Sequence, residues 1–96
     1  MAVEIFYTAE FDKLFRALPN GIQVKAKRRI RLFQTNPFLP TLETEKLNIP
    51  FGEFWSFRID RAYRIIFRFN TYDQVTFDAA GHHGWIYRFA ARRHGA

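Results

Sequence analysis

Val3-Glu-Ile-Phe-Tyr7 alternates apolar and polar positions with β-branched and aromatic side chains, which predicts a first strand. Thr8 stands where a helix N-cap is wanted, and Glu10 and Asp12 place carboxylates in the first turn, where they complement the helix dipole. Phe11, Leu14, Phe15 and Leu18 follow at helical spacing until Pro19-Asn20-Gly21 ends the segment. A second helix is predicted from Ile22 to about Thr35. Ile22, Ala26, Ile30 and Phe33 form one stripe of it, and Lys25, Lys27, Arg28, Arg29 and Arg31 concentrate elsewhere. The two helices form a hairpin, Pro37 and Pro40 break it, and Thr41 to Phe51 reads as a connecting loop.

The last half reads as an antiparallel meander with strands over Glu53 to Ile59, Ala62 to Phe69 and Gln74 to Ala80. Side-chain parity fixes its register. Trp55, Phe57 and Ile59 share one face of the first strand, Tyr63, Ile65, Phe67 and Phe69 of the second, and Val75, Phe77 and Ala79 of the third. Only a turn centred on Arg61 gathers the first two sets, pairing Ile59 with Tyr63 and Phe57 with Ile65. That register sets Arg58 opposite Arg64, where like charges repel. A second turn centred on Tyr72 pairs Phe67 with Phe77 and places Thr76, Asp78 and Ala80 on the arginine face. His82 and His83 are then expected close to Arg58 and Arg64. Trp85 to Ala96 is expected to form a short helix or strand followed by a frayed basic tail. The predicted fold class is α+β: an N-terminal strand, an α-helical hairpin and a three-stranded meander, giving a four-stranded sheet packed on two helices.

Composition bounds this picture without changing it. At 96 residues, with 48% apolar and 19% aromatic residues, the chain is expected to be a single packed domain over residues 1–96. Fifteen Lys and Arg, eleven of them Arg, against nine acids give a net charge of +6. That excess points to phosphate ligands or an acidic partner. Cysteine is absent, which excludes disulfides, thiolate metal sites and Cys nucleophiles. The N-terminus lacks the pattern of a signal peptide, and no apolar stretch nears the ~20 residues that span a bilayer, so a soluble, cytoplasmic protein without membrane contact is expected.

Arg58, Arg64, His82, His83 and Tyr87 form the best constellation for chemistry. Cleavage of RNA by its own 2′-hydroxyl needs cations to stabilise the phosphorane and groups to give and take protons. No metal or other cofactor is required for it, and adjacent His82 and His83 on a strand would point to opposite faces without a matching ligand cluster. Glu45, in the loop ahead of the strands, is a candidate general base. The competing reading pairs the arginines with Asp60 and Asp78 on a solvated sheet face and leaves Glu45 an ordinary surface carboxylate. Lys25, Arg28, Arg29, Lys46 and Arg68 are the candidate RNA-binding residues, adding affinity and salt dependence rather than cleavage. A solvated helix face is the alternative for the basic run. Trp55 and Phe57 fall on the core side, and Phe54 on the polar face is a stacking candidate.

Lys46-Leu47, Trp55-Ser56-x-Arg58-Ile59, Tyr63-Arg64-Ile65-Ile66-Phe67 and Gly81-His82-His83-x-x-Ile86-Tyr87-Arg88, in this order of elements, resemble the RelE/ParE toxin superfamily from about Phe6 to Arg88. The resemblance implies a RelE-like fold and a ribosome-dependent mRNA endonuclease of the RelE and YoeB type, the toxin of a toxin–antitoxin pair. Its implied partners are a cognate antitoxin, the ribosome and mRNA, with oligomers formed through the toxin–antitoxin complex. Arg64 matches the family's arginine that contacts the scissile phosphate, Arg58 the cation of the preceding strand, Tyr87 a C-terminal aromatic that is catalytic in some members, and Glu45 the position of a base in YoeB-like members. This chain departs from the pattern at His83, where many relatives have Arg, and at Gly84, where many have an acid. A ParE-like gyrase inhibitor that acts by binding, and a non-toxic binding module, share the same fold and are the alternative functions.

Overall fold

The computed structural model of the protein describes residues 2–48 and 53–95. In chain order the elements are β1 (Glu4–Tyr7), α1 (Ala9–Arg16), α2 (Asn20–Thr35), a 3-10 turn (Pro40–Leu42), β2 (Glu45–Lys46), β3 (Trp55–Arg58), β4 (Tyr63–Thr71), β5 (Gln74–His82) and α3 (His83–Gly95). The strands form one mixed sheet in the order β1-β5-β4-β3-β2, with β1 parallel to β5 and the other pairs antiparallel.

Thr8 caps α1 as its sequence position requires. Its Oγ1 accepts from the Phe11 amide at 3.0 Å and donates to the Phe77 carbonyl at 3.1 Å, so one hydroxyl starts the helix and ties it to β5. The second helix begins at Asn20 rather than Ile22, directly after Pro19, and Gln23 Nε2 closes the hairpin by donating to the Leu18 carbonyl at 2.9 Å. α2 drives Phe33 into the sheet, where its ring stacks on Phe57 at 4.6 Å and meets Phe67 and Phe77 edge-on at 4.9 and 5.4 Å. Together with Ala26, Leu42, Ile65 and Val75 these rings form the main core.

The expected α+β class stands, with two additions. Within the predicted loop, Glu45 and Lys46 pair with Ser56 and Trp55 as a fifth strand, while the part of that loop at 49–52 lies outside the described residues. The C-terminal segment is the 13-residue helix α3, and it packs on the second face of the sheet. Ile86 buries there against Phe54, Ile66 and Ala79, with Tyr87 and Phe89 at the margin. Phe54 is therefore 3% exposed and unavailable for stacking, which corrects its reading as a stacking candidate.

The predicted register holds at the first turn and for half of the second hairpin. Arg58 lies opposite Arg64, Phe57 opposite Ile65 and Phe67 opposite Phe77. Beyond Phe77 the ladder shifts by one, so that Ile66 faces Ala79, Arg64 faces Gly81 and Tyr63 faces His82. Asp78 is the extra residue of this bulge. An extra residue exchanges the faces of all that follow it. Ala80 consequently joins the main core and Ala79 the second cluster, the reverse of the parity expected from sequence.

Candidate active site at the turn between β3 and β4

Asp60 organises the turn. Its Oδ1 accepts from the amides of Ala62 and Tyr63 at 2.8 and 3.0 Å, and its Oδ2 lies 3.6 Å from Lys25 Nζ on α2. Burial alone pushes this carboxyl up, but the two amides and then Lys25 outweigh it and hold Asp60 below its ordinary value.

The same residue receives both opposed arginines through its backbone. Arg64 Nη1 donates to the Asp60 carbonyl at 2.7 Å and approaches the Tyr63 and Arg61 carbonyls at 3.2 and 3.3 Å. Arg58 Nε points at the same Asp60 oxygen from 3.5 Å, while its Nη1 engages the carboxylate of Glu43. Cross-strand repulsion is thus offset by a shared carbonyl and a nearby carboxylate. Nη2 of both arginines has no protein partner among the described residues. An open cleft of about 540 Å³ fronts the turn, lined by Lys25, Arg29, Thr41, Glu43, Arg58, Asp60 and Arg61.

Glu43 is the functional candidate that sequence reasoning missed. It follows the 3-10 turn in a left-handed conformation, φ 48°, with its amide bonded to the Pro40 carbonyl. Leu42, fully buried, anchors the turn, and Arg29 Nη1 holds Thr41 through its carbonyl and hydroxyl at 3.0 and 2.9 Å. The signal for it appears only once β2 is paired. Extending the β2–β3 ladder by two residues sets Glu43 directly across from Arg58. Glu45 lies opposite Ser56, exposed, on the same sheet face as the arginines. The neighbouring Ser56 Oγ is buried without a hydrogen-bond partner among the described residues.

His82 and His83 are not brought to the arginines, contrary to the register expectation. The bulge turns His82 to the opposite face, where its ring meets Tyr63 edge-on at 5.4 Å beside the end of α1. His82 Nδ1 accepts from the Gly84 amide at 2.9 Å, capping α3 and leaving the neutral ring's proton on Nε2. His83 opens α3 with its amide on the Ala62 carbonyl at 2.8 Å, and the two imidazoles stack at 4.5 Å instead of pointing apart. Tyr87 does reach the arginine side of the sheet, half-buried against the second cluster.

The five candidate RNA-binding residues divide. Lys25, Arg28 and Arg29 line clefts beside the turn. Arg68 is committed to Asp78 by two parallel bonds of 2.7 and 2.9 Å, which raise its guanidinium further above its ordinary range. Lys46 pairs with Glu53 at 3.6 Å. The alternative pairing read from sequence holds in altered form: Asp78 takes Arg68, and Asp60 takes Arg58 and Arg64 through its carbonyl rather than its carboxylate. Among the described residues no cluster of His, Cys, Asp and Glu is arranged to hold a metal ion, and no helix is long and apolar enough to cross a membrane.

Neither a family model nor a curated protein matches the sequence. Solved structures do match the fold. YafQ in the E. coli DinJ–YafQ toxin–antitoxin complex superposes with a TM-score of 0.73 at 16% identity, covering 91% of this chain and 99% of that one. RelE–RelB from Methanococcus jannaschii gives 0.69 at 22% identity over 88% and 96%, and a YoeB/ParE toxin from Agrobacterium tumefaciens 0.68 at 18% over 84% and 99%. The chain has the RelE/ParE toxin fold.

Proposed function

We propose that this chain is the toxin of a toxin–antitoxin pair and cleaves mRNA on the ribosome without a metal, restrained by an antitoxin protein. The observation that carries the proposal is the convergence of Arg58 and Arg64 on one carbonyl, with Glu43 against Arg58 and both of these lining an open cationic cleft on this fold. A phosphate of the message sits on the free guanidinium donors. Glu43 takes the proton of the adjacent 2′-hydroxyl, whose oxygen attacks phosphorus, and the arginines stabilise the charge that gathers on the phosphorane oxygens. The departing 5′-oxygen takes a proton from Tyr87, the candidate that packs on the arginine side of the sheet. The products are a 2′,3′-cyclic phosphate and a 5′-hydroxyl.

Expression of the chain alone, with RNA 5′ ends mapped in the presence and absence of ribosomes, tests the reading. Cuts within coding sequence that need ribosomes and vanish in Arg64→Ala and Glu43→Gln support it. Growth arrest by a folded Arg64→Ala variant refutes the site. A second reading draws on the placement of His82 away from the arginines: a ParE-like protein inhibits gyrase by binding and needs no proton donor. Loss of DNA supercoiling with purified gyrase, without RNA cuts, selects it.

A further inference from the structure

A second cavity, of about 390 Å³, adjoins the cleft at the turn. Lys25, Arg28, Arg29, Leu32, Thr41, Ile59 and Asp60 line it, and four of these residues also wall the first cleft. The two form one groove between α2 and the β3–β4 turn, walled by the cations Lys25, Arg28, Arg29, Arg58 and Arg61 against the carboxylates of Glu43 and Asp60. Both carboxylates are already engaged, by Arg58 and by Lys25.

Residues 25, 28 and 29 are spaced i, i+3 and i+4, so one face of α2 presents them over about 6 Å of helix. Lys27 and Arg31, on the same helix, line neither cavity. Arg28 and Arg61 have no side-chain partner among the described residues. Leu32 and Ile59 supply an apolar floor between the charges, which suits the sugar and base edges of a nucleotide.

We propose that this groove is a subsite for the phosphates flanking the one held by Arg58 and Arg64, with Arg61 at the turn and Arg28 on α2 as contacts for successive phosphates and a single-stranded polynucleotide as its ligand. The subsite rests on the functional reading above for the position of the first phosphate. A carboxylate-rich peptide satisfies single arginines equally well. A polynucleotide is favoured because a regular run of phosphates entering at Arg58 meets further cations along the same groove.

The test uses fluorescein-labelled 2′-O-methyl oligonucleotides of two to eight nucleotides, which bind but present no 2′-hydroxyl for cleavage, titrated against the full chain at several salt concentrations. Wild type gains affinity in a step as the probe lengthens past the first phosphates. Arg28→Gln and Arg61→Gln each weaken the longer probes several-fold, lower the salt slope by about 0.7 and leave the dinucleotide unchanged. Lys27→Gln, the same charge change outside the groove, leaves the step intact. The proposal is overturned if Lys27→Gln matches Arg28→Gln, or if a polyglutamate peptide binds in an Arg28-dependent way while the oligonucleotides do not. Because binding is read without cleavage, a chain that binds in this way yet cuts no RNA retains the subsite and loses only the catalytic reading.

Discussion

Replacing Asp60 by Ala separates the turn from everything else in the site. The substitution removes the acceptor of the Ala62 and Tyr63 amides and the partner of Lys25. A carboxylate that receives two successive amides resembles a helix N-cap, whose loss costs about 0.5–2 kcal/mol. The Lys25 pair adds a few tenths of a kcal/mol at most, since its contact is long at 3.6 Å and Lys25 is largely exposed. A total of about 1–2 kcal/mol lowers Tm by roughly 4–15 °C in a domain of this size. Asp60→Asn keeps the Oδ1 acceptor and gives up only the charge, so most of that stability survives. The pH dependence carries a sign. Asp60 is held below its ordinary value when folded, so its charged form contributes stability that is fully present above the unfolded value near 3.9 and is lost as pH falls through the lower folded value. The gap between wild type and Asp60→Asn is therefore constant at neutral pH and closes in acid. Thermal melts of the three proteins from pH 7 to pH 3 measure it. Equal Tm for the Ala and Asn variants, or a gap that widens in acid, refutes the assignment of Asp60 as the organiser of the turn.

Phe33→Ala empties the centre of the aromatic core and costs about 3–5 kcal/mol, read as a fall in the urea midpoint with little change in slope. Gly81→Ala puts a Cβ 2.1 Å from Trp85 Cζ2, so the indole must leave the strand; destabilisation of about 1–3 kcal/mol is expected, and combining it with Trp85→Ala shows strong non-additivity in urea melts. Ser56→Ala removes a buried hydroxyl without a hydrogen-bond partner and raises stability by about 1 kcal/mol in the same assay.

The elements that alternate or repeat with a clean period were readable from sequence, because burial on one face imposes the period. Trp55, Phe57, Ile65 and Phe67 could be collected on one side only by a turn at Arg61, and the structure has that turn. β2 and α3 were less legible for different reasons. Two residues are too few to show a period, and β2 exists because β3 offers it an edge. In α3, Trp85, Ile86, Tyr87 and Phe89 are clustered rather than spaced, so their faces emerge only once Ile66 and Ala79 supply a surface to pack on. The bulge at Asp78 left no mark of its own, but its neighbourhood did. Gly81 is where Trp85 must lie flat against β5, and a glycine inside a strand pattern marks a bulge or a close approach.

That single inserted residue decides how the site is built. With no bulge, Asp78 would still face the arginines, but His82 would too, and the site would hold two cations beside an imidazole. With it, Asp78 neutralises Arg68 further along the sheet, His82 is spent on capping α3, and Arg58 and Arg64 are left with Glu43 as their acidic neighbour. The repulsion between opposed arginines is not left as strain, because the Asp60 carbonyl accepts from both sides and Glu43 pairs with Arg58. A cation pair fixed in this way can still donate to an oxyanion, and under the proposed function Glu43, on Arg58, is the base for the hydroxyl beside it.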